Sequence, residues 1–163
     1  LTARGIAQAE ACGRLLAERL VKADAFIASP LGRARQTSGI IHSFGAYPAT
    51  RWDDRLAEVS MGSWDGLTRI DIAAGWPDLL DGSTRYDWYF RSPDGERYDA
   101  AAARVRGWLN EVEGTVIAIS HGLLGRILRG IYLGLAKDEA LGLPVPQDVI
   151  WHLAGGEMTA IAT

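Results

Sequence analysis

Two segments of the chain repeat one design: a short apolar run, a serine, and then a stretch whose apolar residues recur at helical spacing. One is "DAFIASP" followed by "LGRARQTSGIIHSF"; the other is "TVIAIS" followed by "HGLLGRILRG". Apolar runs of this length read as buried strands, and the segments after them as amphipathic helices. Strand–helix alternation is the signature of βαβ units, which need a largely parallel sheet covered by helices. The expected architecture is therefore α/β.

The remaining elements follow from spacing. Ile6, Ala9, Gly13, Leu16 and Leu20 define one helical face, and Tyr98, Ala101, Val105, Trp108 and Val112 another. Leu124, Ile127, Leu128, Ile131 and Leu135 mark the helix after "TVIAIS". "YPATRW" reads as a second strand, and "DVIWHLAGGEMTAIAT" as a closing hairpin turning at Gly155-Gly156. From Asp53 to Glu96 the pattern is mostly irregular. Thr68 and Asp71 are placed for a capping box on a helix of one or two turns ending near Trp76-Pro77. The rest of that stretch, "DLLDGSTRYDWYFRSPDGE", is expected to be functional or disordered, because long loops in compact domains usually are.

At 163 residues the expectation is one domain, 1–163, large enough for a real core. Seventeen basic and 20 acidic residues leave a net charge of −3, which argues against general nucleic-acid binding. An anionic ligand then needs a local cluster of donors. The single cysteine, Cys12, rules out an internal disulfide and a cysteine-rich metal site. It lies in a helical pattern and reads as packing material. No apolar run approaches a membrane span, and a cytoplasmic setting is expected. Leu1 leads almost at once into a helical pattern, so the chain reads as one entered partway through.

Ligands of open α/β sheets bind beyond the carboxyl ends of the strands. Both strand–helix junctions put donors there: Arg33 and Arg35 follow Ser29, and His121 follows Ser120. Free N–H groups at a helix start favour an anion. Arginines in a first helical turn oppose the macrodipole, a cost that an anionic ligand would explain; solvated surface arginines are the plain alternative. Glu58, in "RLAEVSMGSWDGLT", can act as a general acid beside such a site, or can simply pair with Arg55. His42 reads as a surface residue within a helix, and His152 as part of the hairpin.

"LTARGIAQAE", "SPLGRARQT", "RLAEVSMGSWDGLT", "SPDGE" and "SHG" occur in that order, and together they resemble the histidine phosphatase superfamily, also called phosphoglycerate mutase-like. The resemblance runs from residue 1 to about 135. It implies a three-layer sandwich with a mostly parallel central sheet and helices on both faces. It also implies a phosphohistidine mechanism without metal or cofactor. Arg33 resembles the arginine that binds the phosphoryl oxygens. Glu58 resembles the acid that protonates the leaving oxygen, and His121 the histidine that donates to the transferring phosphoryl group. The family's nucleophile lies in an Arg-His-Gly motif that ends a central strand upstream of the "LT" segment. Neither His42 nor His152 lies in such a motif, so that strand is expected N-terminal to Leu1, and the 163 residues alone are expected to be inactive and poorly stable.

A phosphomonoester hydrolase acting on a small phosphorylated metabolite is the expected function. A cofactor-dependent phosphoglycerate mutase is the nearest alternative, and a non-catalytic phosphate-binding module the third. Tyr86, Trp88, Tyr89 and Phe90 are candidates for holding the leaving group, or equally for packing beneath a long loop. The expected partner is a small phosphorylated substrate, with neither nucleic acid nor membrane; a homodimer is left open.

Overall fold

The computed structural model describes residues 1–19 and 21–163. The first helix, α1 (Ala3–Glu18), starts where Thr2 accepts the Gly5 N–H through its hydroxyl. Its inward face carries Ala9, Gly13 and Leu16, but Ile6, expected on that face, is 42% exposed near the open start of the helix, and Leu20 lies outside the described residues. Strand β1 (Ala25–Ala28) is buried at all four positions and leads into α2 (Gly32–His42). Next come β2 (Thr50–Trp52), the short helix α3 (Arg69–Gly75) and α4 (Tyr98–Asn110). The second strand–helix pair is β3 (Val116–Ile119) and α5 (Gly122–Tyr132), followed by α6 (Lys137–Gly142). Strands β4 (Val149–Ala154) and β5 (Glu157–Ala162) close the chain.

The first three strands form one parallel sheet in the order β2-β1-β3. Phe26 is opposite Thr50 on one side and Ile117 on the other. Period-two alternation sends successive β1 side chains to opposite faces. Ala25 and Ile27 enter a core with Val105, Trp108, Leu124 and Ile127, beneath α4 and α5. Phe26 and Ala28 enter a second core with Leu16, Ala34 and Ile41, beneath α1 and α2. Helices thus cover both faces, which gives the three layers.

Strands β4 and β5 pair antiparallel as a separate two-stranded sheet. Gly155 and Gly156 make the turn with φ of 59° and 80°, the left-handed pair that a tight two-residue hairpin turn demands. The hairpin side chains nonetheless join both layers: Leu153 packs against the first core and Ile150 against the second.

Four details differ from the sequence reading. Strand β2 is three residues long rather than the whole of "YPATRW", because Tyr47 turns its ring into the core beside Phe26. Helix α6 is additional. Its six residues are too few to show a period, and it is started by the Glu139 carboxylate accepting the Ala136 N–H. The stretch between Asp53 and Glu96 is tied down rather than disordered. Asp94 accepts from the Ser63 N–H and from the hydroxyls of Ser63 and Ser92, and Arg91 donates to the carbonyls of Asp81 and Gly82. The Thr68–Asp71 capping box is present on α3. Finally, His42 is not a surface residue. It is half-buried, its ring lies 4.4 Å from that of Phe26, and its Nε2 bonds the Thr50 hydroxyl at 2.9 Å. Cys12 packs against the second core, in keeping with a structural role, and burial raises its pKa.

Candidate active site

The two strand–helix junctions lie side by side because β1 and β3 are neighbours in register, Ala28 opposite Ile119. Ser29 extends the pairing, its N–H donating to the Ile119 carbonyl at 2.9 Å. The chain then leaves the sheet on both strands at the same level. Arg33, in the first turn of α2, donates from Nε to His121 Nδ1 at 2.9 Å. His121 is the N-cap of α5, with extended backbone (φ −129°, ψ 174°). Its Nε2 lies 2.6 Å from the hydroxyl of Ser29, which is fully buried.

Glu58 approaches the same helix start from the irregular segment after β2. Its carboxylate accepts the N–H groups of Leu123 at 3.2 Å and Leu124 at 2.9 Å, and its own neighbour Val59 at 3.1 Å. It therefore caps α5 from outside, satisfying first-turn donors for which His121 supplies no side-chain acceptor. The alternative pairing with Arg55 is not formed. Arg55 binds Asp53 and Glu111, each at 2.8 Å, and these carboxylates hold its pKa high. The loop carrying Glu58 is itself anchored twice. Ser120 donates to the Leu56 carbonyl at 2.9 Å, and Arg104 donates to the Arg55 carbonyl at 2.6 Å. Arg104 is aimed by a bidentate bond to Glu96, at 2.7 and 2.8 Å.

His121 is neutral at physiological pH. Burial, and then the charge of Arg33, push its pKa down from 6.5 to about 4. Glu58 pulls the other way, and Arg104 adds to the depression.

Arg33, Glu58 and His121 thus meet at one point above the sheet. Arg35 does not join them: it donates to the Pro30 carbonyl and stacks over Trp52, 4.4 Å from the ring centre, at the sheet's edge. Among the described residues, no hydrogen bond links Tyr86, Trp88, Tyr89 or Phe90 to the three. Phe90 is buried, Tyr86 and Tyr89 pack against the first core, and Trp88 stacks on Tyr89 at 4.1 Å. The contacts these aromatics make are packing contacts under the long loop. His152 is exposed on the hairpin. The sequence gives Ser29 and Ser120 no role beyond marking the two junctions, and gives Arg104 no signal at all. The only signal for the serines is that each is the last residue of an apolar run.

No described helix is long and apolar enough to cross a membrane.

Comparison with known proteins places this geometry. Residues 1–154 match the model of the histidine phosphatase superfamily (branch 1). A 2,3-bisphosphoglycerate-dependent phosphoglycerate mutase of Rhizobium rhizogenes is 31% identical over 152 residues, 88% of this chain and 72% of the relative. An acid phosphatase of Mycobacterium tuberculosis is 30% identical over 153 residues, 88% of this chain and 70% of that protein. The chain also matches the 6-phosphofructo-2-kinase 1 of Saccharomyces cerevisiae, with 28% identity over 103 residues. That match takes in 60% of this chain but only 12% of the much longer kinase. Among solved structures, the α-ribazole phosphatase of Shigella flexneri superposes with a TM-score of 0.81 at 22% identity, over 99% of this chain and 82% of that one. The fold is phosphoglycerate mutase-like, and the chain belongs to the histidine phosphatase superfamily.

Proposed function

We propose that this domain hydrolyses a small phosphorylated metabolite in the cytoplasm through a phosphohistidine intermediate. The observation that carries the reading is the meeting of Arg33, His121 and Glu58 at the starts of α2 and α5. In the reaction, a histidine nitrogen attacks phosphorus while the bond to the leaving oxygen breaks. Arg33 binds the phosphoryl oxygens through its fork of donors. His121 donates to the same group as charge builds in the transition state. Glu58 leaves its place on α5 and gives a proton to the departing oxygen. In the second half, Glu58 takes a proton from the water that attacks phosphorus, and the N–P bond breaks to release phosphate.

The attacking histidine is neither His42, which is bonded to Thr50, nor His152 on the hairpin. We place it in an Arg-His-Gly motif on an extended segment N-terminal to Leu1, seated between β3 and β4. Three observations support that seat. Among the described residues β3 pairs with β1 and β4 with β5, which leaves each an unpaired edge. Ala118 is exposed in the middle of β3, where a central strand of a three-layer fold is normally covered. And Ile150 and Leu153 continue the two cores across the break.

The mutase relative keeps a second reading open: the same phosphohistidine could pass its phosphoryl group to a second hydroxyl instead of water. The test uses full-length protein. Acid-labile, base-stable phosphohistidine should accumulate, with release of inorganic phosphate. Glu58→Gln should slow phosphoenzyme formation by roughly 10²–10⁴-fold for alkyl phosphates, and far less for activated aryl phosphates whose leaving group needs no proton. Equal losses for both would remove Glu58 from the proton transfer. Phosphate transfer to an acceptor alcohol without hydrolysis would favour the mutase, and phosphate binding with no phosphoenzyme would leave a binding module.

A further inference from the structure

We infer that Ser29 is the positioning residue for His121: its hydroxyl holds the Nε2–H and leaves Nδ1 as the ring nitrogen offered to the phosphoryl group. The second half of this statement rests on the phosphatase reading; the first half does not.

The argument begins with Arg33. Its Nε always carries hydrogen, so the ring nitrogen facing it at 2.9 Å must present a lone pair. A neutral imidazole with a bare Nδ1 carries its hydrogen on Nε2. Among the described residues that hydrogen has one partner, the Ser29 Oγ at 2.6 Å. The hydroxyl also accepts the Leu31 N–H at 3.3 Å, so both of its lone pairs face donors. A charged ring would set a second N–H against Arg33, in line with the depressed pKa of His121.

Ser29 is well placed to impose this choice. It is fully buried, and its backbone N–H is locked to Ile119 across the sheet. Its position is set by β-sheet register rather than by a loop. The charged groups around the ring come from three other elements: Arg33 from α2, Glu58 from the segment after β2, and Arg104 from α4. None of them fixes which nitrogen carries the hydrogen once Arg33 moves.

Arg33 has to move when a phosphoryl group takes its donors. Nδ1 then loses its N–H partner beside an incoming dianion. The ring takes a proton from solvent at Nδ1 and donates it as a hydrogen bond to a phosphoryl oxygen, while Nε2–H stays on Ser29. Anion binding is thereby coupled to uptake of one proton, and His121 turns from an acceptor for Arg33 into a cationic donor without changing its orientation.

The experiment is nitrogen NMR of the His121 ring in the full-length protein, with and without inorganic phosphate. The wild-type ring is expected to be neutral with hydrogen on Nε2, and to become doubly protonated with phosphate at pH 6.5. In Arg33→Ala protein, where the Arg33 N–H no longer imposes the tautomer, hydrogen should stay on Nε2, and adding Ser29→Ala should show both tautomers. Ser29→Ala alone should lower kcat about tenfold with KM little changed, the scale of one lost buried hydrogen bond. A wild-type ring with hydrogen on Nδ1 overturns the inference whatever the variant does. So does a folded double variant whose hydrogen stays on Nε2, or a folded Ser29→Ala whose kcat matches wild type. A ring whose tautomer follows Ser29 but ignores phosphate upholds the pin and overturns the phosphatase reading instead.

Discussion

Glu58 and Leu124 are 66 residues apart in sequence, yet the Glu58 carboxylate accepts the Leu124 N–H at 2.9 Å. A residue of an irregular segment thereby supplies the cap that α5 lacks locally. Glu58→Ala should lower stability by about 1–2 kcal/mol, the usual cost of a lost cap. Glu58→Gln keeps one acceptor oxygen and should lose less. Urea unfolding of the three proteins measures the difference, and an Ala variant as stable as wild type would show the cap to be energetically idle.

The depressed pKa of His121 makes stability depend on pH. The unfolded chain binds a proton at this residue near pH 6.5, the folded chain only near pH 4. Between those values the unfolded state holds more protons, so stability from this residue falls as pH drops through that window. His121→Asn should flatten the slope between pH 6.5 and 4 and leave the slope above pH 7 unchanged. Denaturation curves at several pH values test this.

Helices α5 and α6 touch through Gly130. A Cβ at that position would overlap the Ala140 Cβ and come within 3.1 Å of its Cα. Gly130→Ala improves helix propensity by about 1 kcal/mol, whereas overpacking of this kind costs about 1–3 kcal/mol. Because the obstacle includes backbone, the clash should win. The expected result is a lower Tm, read by calorimetry.

Arg129 is a buried cation with no carboxylate among its described partners. It donates to the carbonyls of Gly125 and Pro144 and lies 4.3 Å over the Trp151 ring, while its Nη1 has no partner. Burial lowers its pKa to about 10. Arg129→Met keeps apolar contact with Trp151 and removes the buried charge; Arg129→Lys keeps the charge as a more strongly hydrated group and loses the fork. The Lys variant should be the less stable of the two at pH 7, and should gain on the Met variant as pH rises toward 10. Parallel thermal melts at pH 7 and 9.5 decide it.

What the sequence made legible was local or periodic. Strand β1 is an apolar run buried at all four positions, and β3 is an apolar run beside it. The α3 capping box and the Gly155-Gly156 turn are short-range chemistry, visible without tertiary information. What it concealed depends on partners far along the chain. Arg33 and Arg35 look alike in sequence, and only the position of Trp52 on β2 separates one from the site. His42 reads as a surface residue in the sequence because nothing nearby reveals that Phe26 and Thr50 close over it. Ser29 acquires its role from a residue 92 positions away. Helix α6 is too short to have a period, and it is fixed by its contact with α5. The meeting of Arg33, Glu58 and His121 could be reached from the sequence only through the resemblance of its motifs, since no spacing rule connects them.

For residues 1–163 taken alone, the unpaired edges of β3 and β4 make the melting temperature something that can be titrated. An unpaired β edge is a row of alternating donors and acceptors, able to recruit backbone from any source. A synthetic peptide able to insert there would bind the folded state and not the unfolded one. At a concentration a hundred times its Kd it would add about 2.7 kcal/mol of stability. Peptides of graded sequence could then be ranked by the temperature shift each produces.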